Sequence, residues 1–294
     1  MPRDDALPIA LPGPLVRVGE ATLRFTAYLG GLVILAGSAL RALVRPSGRP
    51  SAFLPAVVRQ CDWMFGMGLP LVALVHMGLG SFLAMQAFYG ATFVVAAGPV
   101  VGLGFLRNVA PLMTGMTLAG LLAARVVSEL RRGGRDEEPA WVPDREVARG
   151  RAPDPREPAD PARLAAVRLT AGAVVGPVLA IWATFVGTAV GALVSQAILG
   201  VPLPIFLAKF FEMIWLRDAV GLVVKGAAFG LVAALFACFE GLGGSQEPRA
   251  LTMAAFRAAC GAAVAILIIN NTWFTLVYLA GPPFGPTVLP PPPR

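Results

Sequence analysis

The chain has 294 residues, 56% of them hydrophobic and only 14% charged, with a formal net charge of +7. This composition excludes a disordered chain and fits one polytopic membrane domain better than two soluble ones. The positive charge is not a nucleic-acid signature, because the arginines concentrate before Asp62 and between Arg125 and Arg168, beside apolar stretches, where they report topology.

The first segment, MPRDDALPIALPGPLVRVGE, carries acids and prolines without a continuous apolar core, so it lacks the form of a signal peptide. Phe25–Leu40 is an apolar run of 16 residues between Arg24 and Arg41. A crossing needs about 20 residues, so this run is expected as an interfacial elbow helix along the cytoplasmic face. Residues 1–62 are accordingly expected to form a cytoplasmic amino-terminal region.

From Trp63 to Leu106 the chain runs 44 residues with no acidic or basic side chain except His76. A single helix of that length would measure ~66 Å, about twice the hydrocarbon thickness, so the chain must turn back, most naturally at Tyr89-Gly90. The return path meets Gly98-Pro99, Gly102, Gly104 and Pro111. It is expected to be discontinuous, a half-helix near the outer face followed by a crossing, since broken helices are tolerated where neighbours or a cavity satisfy the backbone.

Between Arg125 and Arg168 lie ten arginines, nine acids and repeated prolines, a segment too polar to build a core. The positive-inside rule places it in the cytoplasm with the amino terminus. The expectation is an all-α integral membrane protein with about five crossings, at 64–89, 108–124, 169–199, 219–239 and 258–279. A cytoplasmic loop spans 125–168, the membrane domain 63–284, and a proline-rich tail 285–294 is expected outside the cell.

Glycine pairs at four-residue spacing, Gly98/Gly102, Gly187/Gly191 and Gly226/Gly230, let helices approach closely, within the subunit or between two. Cys61, Cys238 and Cys260 indicate no disulfide framework. The two lysines, Lys209 and Lys225, lie outside any phosphate-cradling glycine loop, so ATP hydrolysis would need another chain. His76 is the sole histidine; no metal or nucleophile constellation is visible and no cofactor is expected. Lys225 lies inside a crossing, where an ammonium must either snorkel to the headgroups or find a polar partner. Asn270 and Asn271 could glue helices by amide hydrogen bonds or line a polar path.

Three stretches carry a resemblance: GLGSFLAMQAF (Gly78–Phe88), LRNVAPLMTGMTLAGLLAARVVSEL (Leu106–Leu130) and KGAAFGLVAALFACFEGLGG (Lys225–Gly244). In this order they resemble the MlaE/YrbE family, the permease subunits of MCE-type lipid ABC transporters. The family's Leu-Arg-Glu-x-x-Pro, Ala-Gly-Arg and Ala-Glu-Leu pattern is met at Leu106, Arg107, Pro111, Ala119, Gly120, Glu129 and Leu130. Its Lys-x-x-x-Phe-Gly and glycine-rich turn are met at Lys225, Phe229, Gly230, Gly241, Gly243 and Gly244, followed by Arg257. Asn108 stands where the family has an acid, Leu121 where it has arginine, and the proline-rich Arg131–Pro161 where it has a compact coupling helix.

The resemblance implies a lipid permease in a bacterial plasma membrane, working as one of two YrbE-type subunits with a separate ABC ATPase and extracytoplasmic MCE proteins. Arg107 and Pro111 from the family pattern, with Lys225, Asn270 and Asn271 from their polar chemistry inside the crossings, are the residues expected in the substrate path or at a helix interface. Glu129, Asp144, Glu146 and Asp160 fall to the ATPase-coupling loop. The altered loop keeps open an alternative, a scaffold subunit that pairs with a competent permease without coupling to ATP.

Overall fold

The computed structural model describes residues 13–44, 50–90, 99–131 and 160–279. Its helices are α1 (Pro14–Val44), α2 (Pro50–Gly90), α3 (Ala110–Arg131), α4 (Pro161–Leu199), α5 (Leu203–Glu212), α6 (Leu216–Leu242) and α7 (Pro248–Phe274). π-helical turns occupy Pro99–Leu103 and Phe105–Val109 ahead of α3, and Thr275–Leu279 after α7. Asp144, Glu146, Gly98 and the proline-rich tail lie outside the described residues.

Six of the described helical segments are long and apolar enough to cross a membrane: 16–44, 53–87, 101–131, 161–199, 216–242 and 248–278. With no strand among the described residues, the chain is an all-α, multi-pass membrane protein. The helices overrun the crossings drawn from the sequence, α4 starting at Pro161 and α7 at Pro248, because arginines at their ends are carried on helix rather than loop.

α4 and α6 form the centre, with α2 against α4, α3 against α6, and α7 covering α3 and α6. The central contact is made by backbone. A Cβ on Gly230 of α6 would sit 2.0 Å from the Gly172 carbonyl oxygen of α4, and one on Gly176 2.1 Å from the Gly226 oxygen. Gly187 and Gly191 instead receive Phe105 and Val101 from the π-helical stretch. In lipid, apolar side chains gain little by meeting one another, so close backbone approach of this kind carries the association. Gly226 and Gly230 are therefore used within the subunit, and their partners Gly172 and Gly176 form a pair at the same spacing.

Two expectations are corrected. Over the described part of the return path no break separates a half-helix from the crossing: Pro99 to Arg131 is continuous helix, with wide π turns at Pro99–Leu103 and Phe105–Val109, while Gly98 and the residues from 91 on before it lie outside the described residues. A π turn shifts the bonding pattern by one residue, which lets the chain pass a missing donor without separating into two helices. The amino-terminal helix is also longer than the 16-residue run, because polar residues on either side of Phe25–Leu40 continue it to 31 residues. Its buried residues Leu32, Leu35 and Ala39 pack into the core, and Gly31 touches Phe239 near the end of α6.

The bundle has two ends. Arg131, Asp160, Leu242 and Pro248 mark the loop end, from which segment 132–159 departs; Gly90, Pro99, Leu199, Leu216 and Leu279 mark the far end.

Candidate functional site

At the far end, the first turn of α6 presents Asp218, whose side chain is wholly buried. Arg107 donates to it twice, Nε to Oδ1 at 2.9 Å and Nη2 to Oδ2 at 3.0 Å. Tyr278 Oη donates to Oδ1 at 2.9 Å, and the Trp215 backbone N–H to Oδ2 at 3.1 Å. A carboxylate offers about four acceptor positions, so Asp218 is saturated. Its place in the first helical turn adds a favourable interaction with the helix dipole. Arg217 lies over the rings of Trp215 and Tyr278, its guanidinium carbon 5.4 and 5.2 Å from their centroids.

Two turns along α6, Lys225 is almost completely buried. It does not snorkel. Its ammonium donates to the backbone carbonyl of Arg107 and, at 3.4 Å, to Asn270 Oδ1. Pro111 explains the first contact: in an α-helix the N–H of residue 111 would serve the carbonyl of residue 107, and proline has none. Lys225 supplies the donor that Pro111 lacks. Asn270 Nδ2 then donates to Asn108 Oδ1 at 2.7 Å, so a neutral amide pair occupies the position where the resemblance expects an acid.

The structure thus joins Arg107, Pro111, Lys225 and Asn270 into one network linking the π turn before α3 with α6 and α7. Asn271 points elsewhere and is exposed. The sequence reading missed Asp218 and Tyr278, and noted Asn108 only as a departure from the family pattern. The signal for Asp218 was its spacing: seven residues before Lys225, it shares that lysine's helix face.

The loop end carries two further clusters. Arg125 stacks on Trp63 with its guanidinium carbon 4.2 Å from the ring centroid and bonds Glu129. Glu129 also lies 3.6 Å from Arg168 of α4, whose side chain is buried. Asp160 caps α4, accepting from the Ala162 N–H at 3.1 Å, and pairs with Arg163. Glu129 thus ties α3 to α4, while Asp160 sets where α4 begins. In the second cluster Glu240 is gripped by Arg257, Nη2 to Oε2 at 2.8 Å, and Arg131 donates to the Glu240 and Ser245 carbonyls. His76 is buried and Nδ1 donates to the Val72 carbonyl at 2.7 Å, a packing contact beside Phe105.

These features define a multi-pass α-helical membrane protein whose buried charges join helices rather than surround a reacting group. The family model described as Permease MlaE matches residues 57–132 and 159–276, two thirds of the chain. The chain belongs to the MlaE permease family, a class of membrane subunits rather than enzymes. Relatives named probable ABC transporter permease protein occur in Rickettsia felis, Rickettsia typhi and Rickettsia conorii. Each is 23% identical over 257 residues, covering 86% of this chain and 93% of the relative. The family match passes over residues 133–158, which lie within the proline-rich segment.

Proposed function

We propose that this chain is the permease subunit of an ABC transporter that moves lipids of the phospholipid, fatty-acid or sterol class, driven by a separate ATPase. The observation that carries this reading is the family match on both sides of the polar segment, reinforced by the relatives' names. MCE proteins and a second YrbE-type permease, identical or not, are the partners implied by the sequence resemblance.

In this reading the loop end is cytoplasmic, following the arginine distribution, and the far end faces outward. The amino terminus is inside and the carboxyl terminus outside, with α1 as an elbow and five crossings behind it. Transport needs two helix arrangements that differ in affinity for lipid or for the nucleotide-bound partner. The π-helical stretch from Pro99 to Val109 is the element we assign to that change, since π turns concentrate at functional positions. The far-end network would hold it in the arrangement seen here. Glu129 and Asp160, with Asp144 and Glu146 of the intervening segment, would pass motion from the ATPase.

A second reading, a scaffold that pairs with a competent permease, is favoured by one observation: the family match omits 133–158, where ATPase docking would fall. Purification from the native cell in mild detergent, with mass spectrometry of co-purifying chains, separates the two. An ABC ATPase recovered with MCE proteins and a second permease supports the transporter. Membrane partners without an ATPase support the scaffold, and recovery of neither refutes both.

A further inference from the structure

Between α1 and the loop end of α6 lies a cavity of about 660 Å³. This falls within the range of about 300–1,000 Å³ that ordinary ligand pockets occupy. One wall is a stripe of α1 formed by Tyr28, Gly31, Leu35 and Ser38, at the spacing of a single helix face. Gly31 packs directly on the Phe239 ring, which would have to shift for a Cβ standing 2.7 Å from it. The opposite wall ends in Arg131, Glu240 and Arg257.

The charges on this wall do not cancel. Arg131 and Arg257 bring two positive charges and Glu240 one negative, so the charged side chains lining the cavity sum to +1. Arg131 is 8% exposed and donates only to backbone carbonyls, with no carboxylate on it among the described residues. Arg257 spends Nε and Nη2 on Glu240, leaving Nη1 without a partner among the described residues. A guanidinium has five donors, so both arginines retain capacity. A half-buried surplus cation beside an apolar wall calls for an anion that carries its own apolar part.

We propose that this cavity binds one anionic lipid from the leaflet at the loop end, its headgroup phosphate against Arg257 and Arg131 and the start of its chain along the α1 stripe. The site lies at the opposite end of the bundle from the Asp218 network. It needs only the membrane placement of the chain, so it stands or falls separately from lipid transport and ATPase coupling.

The test is native mass spectrometry of the full chain, with whatever partners co-purify, after delipidation and addition of phosphatidylglycerol or phosphatidylcholine. The expected result is one phosphatidylglycerol retained about tenfold more strongly than phosphatidylcholine, a preference of about 1.4 kcal/mol. Ile34→Trp, at an exposed position lining the cavity mouth, should abolish the preference without disturbing the core. Val33→Trp, equally exposed but outside the cavity, should leave it intact. Arg257→Gln should weaken it, and Ile34→Trp keeps the question answerable if that variant folds poorly.

Equal retention of the two lipids overturns the proposal, as does a preference untouched by Ile34→Trp. Stabilisation by inorganic phosphate that matches the lipid's would mean that a free anion is the ligand, which also overturns it. If the preference arises only after Asp136, Glu137 and Glu138, acids of the segment 132–159 that follows Arg131 in sequence, are neutralised, the chain's own acids compete for the site and the proposal is overturned.

Discussion

Replacing Asp218 by asparagine tests whether the far-end network holds the π-helical stretch in place. The variant keeps the size of the side chain but loses the charge and one carboxylate oxygen's worth of acceptors, while Arg107, Tyr278 and the Trp215 N–H still aim four donors at it. Breaking a buried ion pair from one side costs about 3–5 kcal/mol, because the remaining charge is left buried without its partner. Arg107 keeps 27% of its side chain exposed, so solvent recovers part of this and about 2–3 kcal/mol is the working figure. Followed as thermal unfolding in detergent, that corresponds to a midpoint lower by roughly 5–10 °C. Tyr278→Phe removes one bond of the four and should cost about 1 kcal/mol. The double variant Arg107→Leu/Asp218→Leu removes both charges and should be more stable than either single leucine variant, since no orphaned ion remains. If Asp218→Asn unfolds within about 1 °C of the parent, or the double variant is no better than the worse single one, the reasoning fails.

Lys225→Met should destabilise by about 1–3 kcal/mol, because the Arg107 carbonyl loses its donor. Pro111→Ala should then rescue part of that loss in the Lys225→Met background but not in the parent, which a double-mutant cycle in the same unfolding assay would reveal. Gly230→Leu drives a side chain into the Gly172 carbonyl and should abolish monodisperse protein on size exclusion, whereas Gly104→Ala, with open space at its Cβ, should not. Alanine at Asp144 and Glu146 together should uncouple ATP hydrolysis from the assembled complex; an unchanged coupled rate would remove them from the coupling role.

The class of this protein was legible in the sequence because bilayer insertion depends on one-dimensional quantities. The 44-residue stretch from Trp63 needs two passes whatever it packs against, and the polar run between Arg125 and Arg168 cannot sit in hydrocarbon. Ordered motifs around Arg107 and Lys225 also sufficed to suggest the family. Partnership, by contrast, is a property of pairs far apart in the chain. Arg107 and Asp218 are separated by 111 residues, Lys225 and the carbonyl exposed by Pro111 by more, and Asn108 and Asn270 by 162. The sequence left Lys225 undecided between snorkelling and pairing, because both satisfy an ammonium; only the crossing of α6 with the π turn before α3 puts the Arg107 carbonyl within its reach. The unmet backbone groups of one element become the hydrogen-bonding sites of another, and no local pattern encodes which other element that will be.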